Sequence, residues 1–154
     1  IRRAGTAAAH AAHHPGWDGD TGFRVLRVDS SNMADVHRIP ALAAQDDLAL
    51  LTDTVKRERT AEDVLFEVLI GCGADLSAPI AVEKIDGREV FLVGDGTLIA
   101  CLARDPPPAV VREIARRAPS RAVFLDSGFT TDADRVNAQR TFAHLAPATE
   151  VRVI

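Results

Sequence analysis

An α/β domain with a mixed sheet is what this sequence predicts, on three observations. Residues 80–102 are strand-like runs separated by tight-turn residues, the pattern of a β-meander. Residues 97–154 read as strand, helix, strand, helix, strand, which within one sheet implies parallel strands joined by right-handed crossovers. The helix that opens after Thr60 is apolar nearly all round, so it needs cover on more than one side. The expected fold is therefore a meander (80–102) joined to a βαβαβ parallel half (97–154), with helices packed on the sheet.

Residues 1–22, "IRRAGTAAAHAAHHPGWDGDTG", differ from the rest and read as a helix tail and linker ahead of a domain over 23–154. Pro15 and the glycines from Gly16 to Gly22 end that helix. His10 and His14 share a helix face and His13 lies between them, but no carboxylate or cysteine sits beside them at ligand spacing. A solvated helix end is the reading, not a metal site. "FRVLRV" (23–28) has the β-branched and aromatic content of a strand, closed by the turn formers Asp29 to Asn32. Leu48, Leu51 and Val55 place a helix over 45–55.

The next helix carries the best start signal in the chain. Thr60 and Asp63 have capping-box spacing, in which the hydroxyl and the carboxylate each satisfy a free backbone N–H. Val64 to Ile70 supply the apolar surface, and Gly71 and Gly73 stop the helix. Three strands follow, "IAVEKI", "REVFLV" and "TLIACL", separated by Asp86-Gly87 and Gly94-Asp95-Gly96. The third is continuously apolar, so both its faces should be covered. A helix over 107–118 turns Val110, Val111, Ile114 and Ala115 inward. Strand 121–125, helix 132–145 and the closing strand "EVRVI" complete the chain.

Composition sets limits on function. A chain of 154 residues with 47% apolar content fills one core, and a net charge of −4 does not make the whole chain a nucleic-acid magnet. Cys72 and Cys101 lie among apolar residues; one disulfide is conceivable, and two inert core thiols in a reduced cytosol is the preferred reading. No apolar run approaches the ~20 residues that span a bilayer, and no signal-peptide pattern appears, so a cytoplasmic, membrane-free protein is expected. Because the first residue is Ile1, the chain is expected to be a piece of a longer protein.

Four stretches invite a chemical reading. Ser127, in "LDSGF" at the end of a strand, sits where α/β proteins bind ligands. It lacks a Gly-x-Ser-x-Gly elbow, and the nearest histidine, His144, lies far along the following helix. Thr131 and Asp134 have capping-box spacing, so turn chemistry accounts for the loop; a phosphate at that helix start would meet Asp126, Asp132 and Asp134. Gly94-Asp95-Gly96 joins two strands and has no third glycine, so it is a hairpin and not a dinucleotide fingerprint. "DPPP" (105–108) resembles the Asp-Pro-Pro-Tyr site of adenine methylation but has Pro108 where the stacking ring belongs, and the chain has no tyrosine. Asp105 near an N-cap and prolines in a first turn explain it. Finally, Arg104, Arg112, Arg116, Arg117 and Arg121 surround helix 107–118; a solvated helix face is the default reading, and Arg112, Arg116 and Arg117 are the candidate contact face for a phosphate backbone or an acidic partner. The run from 43 to 67, seven acids against three bases, would complement that face on a second copy.

Taken together, "GFRVLRVDSSNM", "RTAEDVLFEVLI", "DLSAPIAVEKIDGREVFLVGDGTLIACL" and "RAVFLDSGFTTDADRVNAQRTFAHLAPATEVRVI" resemble the C-terminal region of site-specific adenine DNA methyltransferases. These are the modification (Mod) subunits of type III restriction-modification systems. The likeness covers roughly residues 20–154, and "IRRAG" looks like the end of a preceding catalytic part. The resemblance implies a parent that methylates adenine N6 with S-adenosylmethionine and works as a dimer on DNA with a helicase-nuclease (Res) subunit. It implies no cofactor or catalytic residue in this piece, because the Phe-x-Gly-x-Gly loop and Asp-Pro-Pro-Tyr are absent. Assembly or DNA backbone contact is then the expected role. The alternative is a free-standing small α/β enzyme or phosphate-binding module using the loop 126–131. Thr141 and His144 stand where the family pattern suggests aliphatic residues, which implies looser packing of the last helix.

Overall fold

The computed structural model describes residues 24–33 and 55–154. Five strands make one sheet in sequential order: β1 (Ile80–Ile85), β2 (Arg88–Val93), β3 (Leu98–Cys101), β4 (Arg121–Phe124) and β5 (Glu150–Val153). The first two pairings are antiparallel and the last two parallel, so the sheet is mixed as the sequence predicts. Helices α1 (Ala61–Gly71), α2 (Pro108–Arg116) and α3 (Asp132–Leu145) complete the described elements.

Alternation along the strands sorts the core into two halves. Val90, Ile99, Cys101, Ala122 and Phe124 point to one face, where α2 and α3 cover them. Phe91, Val93, Leu98, Ala100, Val123 and Leu125 point to the other, under α1. The two crossovers β3–α2–β4 and β4–α3–β5 advance the same way across the sheet, so equal handedness puts both helices on one side. The result is three layers, with every residue of β3 buried. Phe124 and Phe142 are among the largest fully buried side chains and meet edge to face at 5.9 Å.

Local chemistry explains most element ends. Asp86 and Gly87 both have positive φ (46° and 76°), the backbone of a two-residue turn whose twist matches the strands it joins. At the start of α1, the Asp63 N–H donates to the Thr60 hydroxyl at 3.2 Å while the Thr60 N–H donates to the Asp63 carboxylate at 2.8 Å. At its end, the Gly73 N–H bonds the Ile70 carbonyl and the Ala74 N–H bonds that of Leu69. Gly73 takes φ +62°, which closes the helix in a Schellman turn.

Several expectations need correction. Residues 24–28 are not a strand: Val25 is 83% and Val28 99% exposed, so neither has an apolar face to bury. Arg24 instead reaches the carbonyls of Leu76 and Ala78. The expected helix over 45–55 lies outside the described residues except for Val55, which forms an isolated bridge with Met33. The histidine-bearing segment 1–22 lies outside them too.

Helix α2 starts at Pro108 with Pro107 as N-cap, and no side chain caps it. Asp105 takes φ +49°, its N–H donates to the Gly128 carbonyl, and its carboxylate accepts from the Thr130 hydroxyl. It ties two loops together instead of capping the helix. The start of α3 realises half of a capping box. The Thr131 hydroxyl accepts from the Asp134 N–H, but the Asp134 carboxylate returns to that hydroxyl and not to the backbone. Ala138, Phe142 and Ala146 bury this last helix at four-residue spacing. His144 is exposed and Thr141 bonds the Asn137 carbonyl, so neither position needs an aliphatic side chain.

Candidate functional site

The loop after β4 is the first place to look for chemistry, and its bonds are structural. The Asp126 N–H donates to the Ile154 carbonyl at 2.7 Å, while its carboxylate pairs with Arg135 at 2.9 Å. Gly128 donates to Leu125 and accepts from Asp105. A Cβ at Gly128 would lie 2.9 Å from the Leu125 carbonyl oxygen and 3.0 Å from that of Ala103, so only glycine fits this close approach. Phe129 continues the ring stack onto Phe124 at 5.8 Å. The loop joins the β3–α2 connection, β4 and the end of β5 in one place.

Among the described residues that line the cleft beside Ser127, none is a histidine or a carboxylate. His144 lies twelve residues beyond the first residue of α3, roughly 18 Å along the helix. A serine nucleophile needs a proton acceptor within about 3 Å.

What borders Ser127 is a cleft of about 190 Å³ at the carboxyl ends of β3 and β4. Leu102, Arg104 and Leu125 line one side, and Val55 to Arg57, Arg59 to Ala61 and Val64 line the other. Among the described lining residues the charged ones are Lys56, Arg57, Arg59 and Arg104. Two are held in place. The Lys56 ammonium donates to the Ser30 hydroxyl at 3.0 Å and the Ser31 carbonyl at 2.6 Å, and the Arg59 guanidinium meets Asp29 at 3.3 Å. The Arg59 Nε is buried with no hydrogen-bond partner. Arg57 and Arg104 are exposed.

The segment that holds these cations is itself docked on α1. Ser31 and the Asn32 N–H donate to the two carboxylate oxygens of Glu67 at 2.7 and 2.8 Å, and the Asn32 amide donates to the Asp63 carbonyl. Partial burial pushes the Glu67 carboxyl upward, but the bonds from Ser31 and Asn32 overcome this and hold it below its ordinary range. Hydrogen bonds from the Ser30 N–H and Arg59 likewise lower Asp29. Asn32 is buried, and it was legible in the sequence only as a turn former. The run "KRERT" ahead of the capping box was the available signal for the cleft, hidden inside a segment that is acidic on average.

On the other side of the loop, a smaller cleft of about 100 Å³ is lined by the "DPPP" turn, Phe129, Thr130, Asp134 and the α3 residues Asn137, Ala138 and Thr141. Its described lining holds two carboxylates, Asp105 and Asp134, and no cation among the described residues. The Phe129 ring at its edge is already packed on Phe124. Arg88 donates to the Asp105 carbonyl at 3.2 Å, which secures the turn.

The arginines grouped around α2 by sequence separate in space. Arg117 pairs with Glu83 of β1 at 2.8 Å and with Glu113 at 3.4 Å, so it braces the helix against the meander. Arg116 lies 3.8 Å from Glu113, and Arg112 is exposed on the same helix. Arg121 pairs with Glu150 and donates to the Cys72 carbonyl. Arg104 belongs to the basic cleft. On the opposing acidic run, Asp63 caps α1 and Glu67 binds the 30–32 segment, while Asp46, Asp47 and Asp53 lie outside the described residues.

Cys72 and Cys101 are both free thiols, and burial pushes that of Cys101 up. Among the described residues no His, Cys, Asp or Glu group is placed to hold a metal ion, and no helix is long and apolar enough to cross a membrane. No family model and no curated protein matches the chain.

Proposed function

We propose that this chain is the non-catalytic C-terminal α/β domain of a site-specific N6-adenine DNA methyltransferase, a type III Mod subunit, serving subunit assembly and DNA backbone contact. The observation that carries the non-catalytic part is the wiring of the loop 126–131. Its backbone N–H and carbonyl groups and the Asp126 carboxylate are spent on holding three strand ends together. The parentage is supported by the resemblance of the quoted segments over roughly residues 20–154. On this reading S-adenosylmethionine, the adenine site and methyl transfer belong to the preceding part of the protein. DNA, a second Mod subunit and the Res subunit are the partners of the whole. The exposed Arg112 and Arg116, with Arg117 partly engaged by Glu83, remain the helix face available to a protein partner.

The reading frame that encodes this chain tests the parentage. It is expected to continue upstream into a segment bearing both a Phe-x-Gly-x-Gly loop and Asp-Pro-Pro-Tyr, and the full product is expected to transfer labelled methyl groups to adenine. A frame without those two loops overturns the proposal. Calorimetry of S-adenosylmethionine against the 154 residues alone is expected to give no binding heat. Tight binding would contradict the division of labour.

A further inference from the structure

We infer that the outer edge of β1 is where a second copy of this chain joins, strand to antiparallel strand, around a two-fold axis at Val82. The inference rests on the assembly role proposed above for why two copies meet, and it gives that role a place other than the α2 face. Among the described residues β1 pairs only with β2, so its far side ends the sheet. The Asp86-Gly87 turn makes Ile85 and Arg88 a hydrogen-bonded pair, and bonded pairs then alternate along the hairpin, 83 with 90 and 81 with 92. The bond from the Gly94 N–H to the Pro79 carbonyl continues that alternation. Ile80, Val82 and Lys84 therefore point their N–H and C=O groups away from β2. Val82 is also 55% exposed on the face that carries Phe91, an apolar side chain left at the open edge.

The two edges of the sheet differ in a way that favours β1. Sheet edges are commonly blunted by brevity, proline, bulges or charge. β5 has four residues, and its charged side chains, Glu150 and Arg152, turn back onto Arg121 and Cys72. β1 has six residues in unbroken register, with Pro79 ahead of the strand and not within it. A second copy fits this edge because the strand is complementary to itself in one register. A two-fold axis normal to the sheet keeps each face continuous, so residues opposite one another must share a face. Centred on Val82, the pairing sets Ile80 opposite the partner's Lys84, Val82 opposite the partner's Val82, and Lys84 opposite the partner's Ile80. All the outward-facing residues of both copies then bond, giving about six hydrogen bonds. On the other face Glu83 meets the partner's Ala81, and its charge is already answered by Arg117 at 2.8 Å. A register centred on Glu83 or Lys84 would set like charges directly opposite, which is destabilising. One centred on Ala81 would run Lys84 past the end of the partner's strand. The contact is small, so self-association of this chain alone is weak.

Sedimentation equilibrium of the 154-residue chain, taken up to roughly 1 mM so that a weak dimer is populated, tests this. Wild type is compared with Val82→Lys, Val82→Glu and Arg112→Gln/Arg116→Gln. All three positions are exposed, and thermal melting confirms that each variant is folded. Each Val82 variant alone is expected to dimerise about tenfold more weakly than wild type, because like charges then meet at the axis. Mixing Val82→Lys with Val82→Glu is expected to restore association, since opposite charges meet there instead. The α2 variant is expected to match wild type. Amide exchange of wild type at Ile80, Val82 and Lys84 is expected to slow as concentration rises. A monomer at every concentration, or a dimer indifferent to both charges at position 82, overturns the inference. A mixture no stronger than its components does the same, and so does a dimer in which those three amides exchange freely. Weakening by the α2 variant alone would place assembly on the helix face and overturn it too. None of these outcomes bears on the upstream reading frame, so the parentage stands or falls separately.

Discussion

Two regions meet at Ser127, the loop 126–131 and the turn 55–60, and they divide the work in the reverse of what their sequences suggest. The loop has the composition of a site, a serine between an acid and a glycine at a strand end, yet its groups are bonded to the protein itself. The turn is a run of charges before a helix, yet it brings Lys56, Arg57 and Arg59 to the wall of the cleft. The character of a motif therefore does not decide by itself what its groups do. The α2 arginines make the same point, since the closest contact among them is spent on Glu83.

The largest effect that would sharpen this contrast is at Gly128. Placing a methyl group 2.9 Å from a carbonyl oxygen forces the loop or β4 to shift, so Gly128→Ala should cost about 2 kcal/mol or more, read as the midpoint of urea unfolding. A cost near zero would mean that the loop is free to move and is not the tie described above.

On the cleft side, Glu67→Ala leaves the Ser31 hydroxyl and the Asn32 N–H without their acceptor, a loss of about 1–2 kcal/mol by the same measurement. It should also loosen Lys56 and Arg59, which the 29–32 segment holds. Thr131→Ala should cost about 1 kcal/mol through loss of the α3 cap.

Acid weakens the contacts that hold the 29–32 segment on α1. Asp29, Asp63 and Glu67 have lowered folded-state pKa values, so the stability they contribute is present in full above their ordinary range of about 4 and is lost as pH falls through the folded values. Urea midpoints of wild type and Glu67→Gln should therefore converge between pH 5 and pH 3. Parallel curves would show that Glu67 titrates alike folded and unfolded.

The fold was legible wherever local chemistry and burial agree. Thr60 and Asp63, Asp86-Gly87 and the apolar stripe of α2 each lead to one structure, because a cap, a turn and a helical face are decided within a few residues. Residues 24–28 failed for the opposite reason: strand content in Val25 and Val28 has no meaning without a partner strand and a core to cover. Asp105 failed because its environment is set by Gly128 and Thr130, more than twenty residues away. The cleft was least legible, since it exists only when α1 and the end of β3 are neighbours in space. No spacing within 56–59 announces Arg104.

The central claim is that the strand-end loop is structural in a domain that does not itself catalyse. Ser127→Ala in the full gene product tests it most directly, by the rate of methyl transfer from S-adenosylmethionine to DNA. The account predicts a rate within roughly a few-fold of wild type. Loss of a true nucleophile costs on the order of 10⁴-fold or more, and a collapse of that size with the thermal transition unchanged would contradict it.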